Sequence, residues 1–151
     1  MKESWQPVPG YEGLYEVSDQ GRVRSLDRVL SFEGRWGTTT RQVKGRVLRP
    51  GPGRADRLQV NLSKENVSWV VPIHKLVTLV FIGPRPEGHD IDHINGDFRD
   101  NRLVNLEYVT HQENQKRAYD MGKINPPENP RDPETGRFMT SKACLQPPAV
   151  A

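Results

Sequence analysis

Between His89 and Gly122 the sequence specifies a strand, a tight turn, a second strand and a capped helix, and few other arrangements accommodate it. Ile91 and Ile94 are expected to pack inward and to leave Asp92 and His93 at a strand end. Asn95-Gly96 supplies a residue pair tolerant of positive φ for the turn. A polar loop, Phe98-Arg99-Asp100-Asn101-Arg102, leads into Leu103–Val109, whose second half alternates as a strand does. Thr110 then opens a helix, and Glu113 three positions on completes a capping box. The helix is expected to run from His111 to about Met121 and to stop at Gly122, a favoured residue just past a helix end.

Such a clamp is a frame for chemistry. Asp92 leaves the first strand beside His93, and Asn114 falls in the first or second turn of the helix, twenty-two positions later. A carboxylate oxygen and an amide oxygen brought together are hard ligands, suited to Mg²⁺ or Mn²⁺ rather than to a thiolate-loving metal. Asn105, twelve positions after His93, precedes the second strand, where its side chain can bond loop backbone and steady the histidine-bearing strand.

The rest of the chain bounds this reading. With 151 residues, 34% hydrophobic, and 13 each of Gly and Pro, it allows one domain or two very small ones around a modest core. A fold this small needs help, such as a metal or a partner. From Gln20 to Arg57 ten basic residues stand against three acidic ones, an excess suited to a phosphate backbone or, on the bland reading, to a solvated loop. One cysteine, Cys144, excludes an intrachain disulfide and a cysteine-based zinc site. No run approaches the roughly 18 apolar residues of a membrane span, and the N-terminus lacks the apolar stretch of a signal peptide. A soluble, cytoplasmic protein with no membrane partner is expected.

Short strands are expected at Leu14–Val17 and Arg22–Ser25 around the turn Ser18-Asp19-Gln20-Gly21. Residues 29–57 read as irregular, with Trp36 as a stacking group or a small apolar anchor. Two strand-like runs follow, Leu58–Leu62 and Val67–Val71, then a short apolar helix, Ile73–Phe81, started by Pro72. The tail from Ile124 is proline-rich, without periodicity, and expected to be disordered; Arg131, Arg137 and Lys142 give it a basic arm.

The strings Ile91-Asp92-His93-Ile94-Asn95-Gly96-Asp97, Asp100-Asn101-Arg102, Asn105-Leu106-Glu107-Tyr108-Val109-Thr110 and Glu113-Asn114 closely resemble the HNH nucleases found free-standing in phages or encoded in introns. His74-Lys75-Leu76-Val77 and Phe81-Ile82 resemble the short helix that precedes this hairpin in the family. Trp5, Gly10-Tyr11-Glu12-Gly13, Tyr15-Glu16-Val17-Ser18 and Gly21-Arg22-Val23-Arg24-Ser25 resemble the nuclease-associated modular DNA-binding motif often found ahead of it. The resemblance implies an α+β fold: a small N-terminal β-rich module and basic stretch (1–57), an HNH domain (58–123) with its ββα-metal, or His-Me finger, hairpin at 90–122, and the disordered tail (124–151).

It also implies a mechanism. His93 matches the general base, Asn105 the residue that orients the loop, and Asp92 and Asn114 the ligands of one Mg²⁺ or Mn²⁺ per site. A neutral histidine can take a proton from water at neutral pH. Arg22, Arg24, Arg99, Arg102, Lys116 and Arg117 are expected to hold phosphates of double-stranded DNA. A monomer or weak dimer with such a site would nick one strand at a time, leaving a 5′ phosphate and a 3′ hydroxyl. His89 reads as a loop residue more than a ligand, His74 as structural or phosphate-facing, His111 as a solvated first-turn residue, and Glu113 as a cap. Two rivals stand beside the nuclease: a DNA-binding regulator on the same scaffold that does not cut, and an interaction domain whose basic stretch meets acidic proteins.

Overall fold

A computed structural model describes residues 2–122; the tail from Ile124, with its expected disorder and basic arm, lies outside the described residues. Two compact units divide the chain, Met1–His111 and Gln112–Ala151. The first unit is almost wholly strand and turn. Strands β1 (Trp5–Pro7), β2 (Tyr15–Ser18) and β3 (Val23–Ser25) form an antiparallel sheet in that order. Strands β6 (Gly51–Pro52), β7 (Leu58–Lys64) and β8 (Val67–Pro72) form a second. Helix α1 (Ile73–Phe81) starts directly after Pro72, whose fixed φ suits a helix entrance. Strands β9 (His89–His93) and β10 (Leu106–Thr110) pair antiparallel, and α2 (His111–Asp120) follows β10 in sequence, so the expected ββα order is present. Gly122, just past the last turn of α2, takes φ +65°, as a helix stop does.

Both sheets and α1 share one hydrophobic core. Val8, Tyr15, Val17 and Val23 come from the first sheet, Val60 and Leu62 from β7, Ile73, Leu76 and Val77 from α1, and Leu106 from β10. A single core therefore runs across the boundary at residue 57 that the sequence reading draws. Polar stitches reinforce it. The Tyr15 hydroxyl donates to the Ser63 carbonyl at 3.3 Å and accepts from the Ser63 N–H at 3.1 Å, tying β2 to β7. The Tyr108 hydroxyl donates to the Gly83 carbonyl at 2.9 Å, tying β10 to the end of α1.

Two expectations need correction. Residues 29–57 are not irregular: β4 (Arg28–Gly34) and β5 (Gly37–Val43) form a seven-pair antiparallel ribbon. Consecutive threonines at 38–40 are β-branched and Gly37 takes φ +111° beside the turn, which together favour a hairpin. Ile94 does not pack inward. It lies past the end of β9 and is exposed, whereas Ile91, inside the strand, packs against the core.

Candidate active site

His93 ends β9 with its side chain 1% exposed, opposite Leu106 of the core. Three side chains enclose it. The His74 ring, from the first turn of α1, meets it edge-on with centroids 5.5 Å apart, and Phe98 does the same at 5.6 Å. Nε2 of His93 faces Oδ1 of Asn101 at 3.4 Å. The Asn101 amide nitrogen donates to the Arg99 carbonyl at 3.1 Å, which turns its oxygen toward the histidine. Nε2 therefore carries the proton, and Nδ1, which has no partner among the described residues, carries the lone pair.

Burial, helped by the Arg57 charge, pushes the His93 pKa down, against the hydrogen bond that His93 donates to Asn101 and the carboxylates of Asp92 and Asp100. His74, 4% exposed and with its own Nδ1 unpartnered, is pushed down further, to about 4, first by burial and then by His93 and Arg57. Both rings are thus neutral at physiological pH. His74 is a buried neighbour of His93.

Asn105 lies buried ahead of β10 and holds the connecting loop with three hydrogen bonds. Its oxygen accepts from the Asn95 N–H at 3.0 Å, and its nitrogen donates to the Asn95 side-chain oxygen at 3.0 Å and to the Asp100 carbonyl at 2.8 Å. The short polar loop can close on itself in this way because Asn and Asp side chains reach nearby backbone. Asn95 in turn accepts from the Asp97 N–H at 2.8 Å and donates to Asp100 at 3.0 Å. Arg102 grips Asp100 through two bonds of 2.8 and 2.7 Å, the main reason that carboxyl is held down at about 2.

The N-terminal sheet seats this loop from outside. Leu103 N–H donates to the Asp19 carbonyl at 2.8 Å. Gly21, at φ +73°, approaches so closely that a Cβ there would stand 2.7 Å from the Asn101 carbonyl oxygen. The turn Ser18–Gly21 and the residue that touches His93 are in direct contact.

Asp92, half-buried, precedes His93 and sits opposite Glu107 in the β9–β10 register. Among the described residues no cluster of three or more His, Cys, Asp or Glu completes a protein cage. A hard carboxylate with few such neighbours fits an ion that keeps waters and takes phosphate oxygens as further ligands, the habit of Mg²⁺. Asn114, half-buried, and Lys116, exposed, lie on α2 with Arg117, in the second unit. His89, at the far end of β9, faces the Glu87 carbonyl at 2.9 Å, and His111 faces Asp90 at 2.9 Å.

Four of the arginines expected at DNA are already paired with carboxylates in this structure. Arg22 binds Glu3, Arg24 binds Glu16 at 2.7 Å, Arg99 binds Asp56 at 2.8 Å, and Arg102 binds Asp100. Arg57 differs. Its guanidinium lies 5.0 Å from the Phe98 ring centroid, its Nε is buried without a hydrogen-bond partner, and no carboxylate meets it among the described residues. Sequence reading counted Arg57 only as one charge of the basic stretch. Its place beside residue 98 depends on a contact forty-one positions away, for which the sequence holds no signal.

Fold and site together define the class. The NUMOD4 motif matches residues 3–63, and the HNH endonuclease domain matches residues 71–116. The chain carries an HNH endonuclease domain preceded by a NUMOD4 motif. An uncharacterized HNH endonuclease, L247 of Acanthamoeba polyphaga mimivirus, is 36% identical over 128 residues, 81% of this chain and 27% of that protein. The DNA endonuclease I-HmuI of Bacillus phage SP01 is 27% identical over 121 residues, 80% of this chain and 60% of the relative. A solved structure of I-HmuI, described as an HNH homing endonuclease that binds and cleaves DNA, matches with a TM-score of 0.64 at 26% identity, covering 82% of this chain and 62% of that one. The chain thus spans about a quarter and about three-fifths of the lengths of these two relatives. Among the described residues no helix is long and apolar enough to cross a membrane.

Proposed function

We propose that this chain is a metal-dependent DNA endonuclease that hydrolyses one phosphodiester bond of double-stranded DNA per site, nicking as a monomer or weak dimer. On this reading residues 1–57 serve mainly to grip DNA and 58–123 to cut it. The observation that supports it most is the juxtaposition at the end of β9: a neutral histidine with a free Nδ1, a carboxylate beside it, and an arginine without a carboxylate partner.

The roles follow from chemistry. Nδ1 of His93 accepts the proton of the attacking water, while Asn101 keeps Nε2 protonated and the ring oriented. Arg57 holds a phosphate oxygen, where its unused N–H groups find the acceptors they lack in the free chain. Asn105 acts at a distance by fixing the loop. A divalent ion such as Mg²⁺ or Mn²⁺, held by Asp92 and, as the resemblance implies, by Asn114, would supply stabilisation of the charge that develops on the leaving 3′ oxygen. In the DNA-free chain His93 is 1% exposed, and catalytic contacts commonly tighten only in the substrate complex.

That enclosure is also what favours the second reading, a DNA-binding regulator that does not cut. Supercoiled plasmid separates the two. Incubation with Mg²⁺ or Mn²⁺ is expected to give open-circular product that EDTA abolishes, and Asp92→Ala is expected to shift the metal titration to higher concentration. Intact plasmid in every lane, with duplex binding retained by gel shift, leaves the regulator or a target sequence absent from that plasmid, and a plasmid carrying duplex selected by the chain separates these two.

A further inference from the structure

Strand β8 is an open edge of the kind that folded chains ordinarily blunt. Its sheet runs β6-β7-β8, so each outer strand presents a row of main-chain groups that the sheet does not pair. At β6 that row is two residues long and contains Pro52. At β8 it is longer, and Val67-Ser68-Trp69-Val70-Val71 holds neither a charge nor a proline. Val67 is 50% exposed, Val70 59% and Trp69 61%, although Trp69 stands opposite fully buried Leu62. An apolar, uncharged edge of this length is a template for another strand.

The register shows which groups face outward. Glu65 and Asn66, at φ +52° and +64°, form a two-residue hairpin turn between Lys64 and Val67. The residues flanking such a turn exchange main-chain hydrogen bonds, and bonded and non-bonded pairs then alternate along the ladder. Lys64 with Val67, Leu62 with Trp69 and Val60 with Val71 are thus bonded pairs; Ser63 with Ser68, Asn61 with Val70 and Gln59 with Pro72 are not. Two observations agree. Pro72, which has no N–H to give, falls at a non-bonded place. Ser63 turns its N–H and carbonyl to the Tyr15 hydroxyl rather than to β8, and its own hydroxyl meets that of Ser68 at 2.6 Å. Ser68 and Val70 therefore point their N–H and C=O groups away from β7, where no main-chain partner meets them among the described residues.

We propose that β8 pairs antiparallel with β8 of a second copy of this chain, about a two-fold axis. With Trp69 on the axis, Ser68 of each copy lies opposite Val70 of the other, and every outward N–H meets an outward carbonyl. Other registers do worse. An axis at Ser68 sets Val70 against the turn residue Asn66, and an axis at Val70 sets Ser68 against Pro72, which lacks an N–H. The two Trp69 side chains then face each other in a non-bonded pair, the kind with side chains closest together. An uncharged strand meets itself without like-charge contacts, and that self-complementarity assigns the edge to a second copy. So short an edge falls short of the roughly 800 Å² per partner of a standard interface, so the dimer is weak and concentration-dependent. The pair carries two HNH domains, and the pairing does not rest on the cutting assigned to them.

The test is sedimentation equilibrium of the full chain over a wide concentration range, in EDTA and without DNA. A reversible monomer–dimer equilibrium is expected. Val70→Pro removes an outward N–H and no bond to β7, as edge strands tolerate, so its urea midpoint should stay near wild type. Its association should weaken at least about tenfold, because the two-fold axis removes the bond twice. Trp69→Lys sets like charges opposite each other and should abolish the dimer. Single cysteines in a Cys144→Ser chain read the register: Trp69→Cys should cross-link on oxidation, since a non-bonded pair brings Cα atoms to about 4.5 Å, and Ser68→Cys should not. A monomer at every concentration, a dimer indifferent to Val70→Pro, or cross-linking through Ser68→Cys instead of Trp69→Cys would each overturn the proposal. A monomer in which Val70→Pro weakens duplex binding would give the edge to DNA, and one in which it lowers the urea midpoint would give it to another segment of the same chain; both overturn the proposal as well.

Discussion

The segment joining β9 to β10 and the ribbon formed by β4 and β5 reach a definite shape by opposite means. The first is twelve residues of polar loop and short turn, yet nearly every polar group in it has a partner: Asn95, Asp97, Asp100 and Asn105 bond one another or the backbone, and Gly21 and Asp19 press on it from the N-terminal sheet. The second has a regular ladder and almost nothing behind it. A loop stitched in this way holds His93 and Asp92 in place before substrate arrives. A bare ribbon leaves most of its side chains in solvent.

Breaking a stitch should therefore cost far more than stripping the ribbon. The largest expected loss of stability is for Asn105→Ala, which removes three hydrogen bonds and leaves the Asn95 N–H and the Asp100 carbonyl without their partner; about 3 kcal/mol, read from urea midpoints, is expected. Gly21→Ala places a methyl 2.7 Å from the Asn101 carbonyl oxygen at φ +73°, and about 2 kcal/mol should be lost together with nicking activity. If Gly21→Ala lowers stability but leaves cleavage untouched, the N-terminal sheet does not set the geometry around His93.

Acid sharpens the same contrast. His74 titrates near 4 in the folded chain and near 6.5 when unfolded, so between those values the unfolded chain binds a proton that the folded one excludes. Stability should fall as pH drops from about 7 to 5, by on the order of 1 to 2 kcal/mol, and His93 acts in the same direction. His74→Leu should flatten that slope. Asp100, held at about 2, adds its own loss only below pH 4, outside this window. The smallest effect belongs to the ribbon: Thr40→Ala, on a fully exposed face, should move the urea midpoint by no more than about 0.5 kcal/mol. A large loss there would mean that the ribbon is packed rather than free.

Much of the site was legible because its chemistry is local. Asp92, His93, the Asn95-Gly96 turn and Asn105 lie within fourteen residues, and the period of Ile73–Phe81 marks α1 to the residue. What the sequence hid is long-range. Nothing near His74 announces that its ring meets His93, and nothing near Arg22, Arg24 or Arg99 shows the carboxylates that hold them. The ribbon escaped notice for a different reason. A strand exposed on both faces leaves no apolar alternation to read, and the threonine run at 38–40 is uniform on both. Ile94 was misplaced because the strand ends one residue before it.

The most direct test of the division between cutting and contact is His93→Ala, measured for single-turnover cleavage and for duplex affinity in the same buffer. Cleavage is expected to fall by at least about 100-fold, the contribution of a positioned general base, while affinity stays within a few-fold of wild type. Cleavage at the wild-type rate would contradict the assignment of His93 and, with it, the role given to the enclosed end of β9.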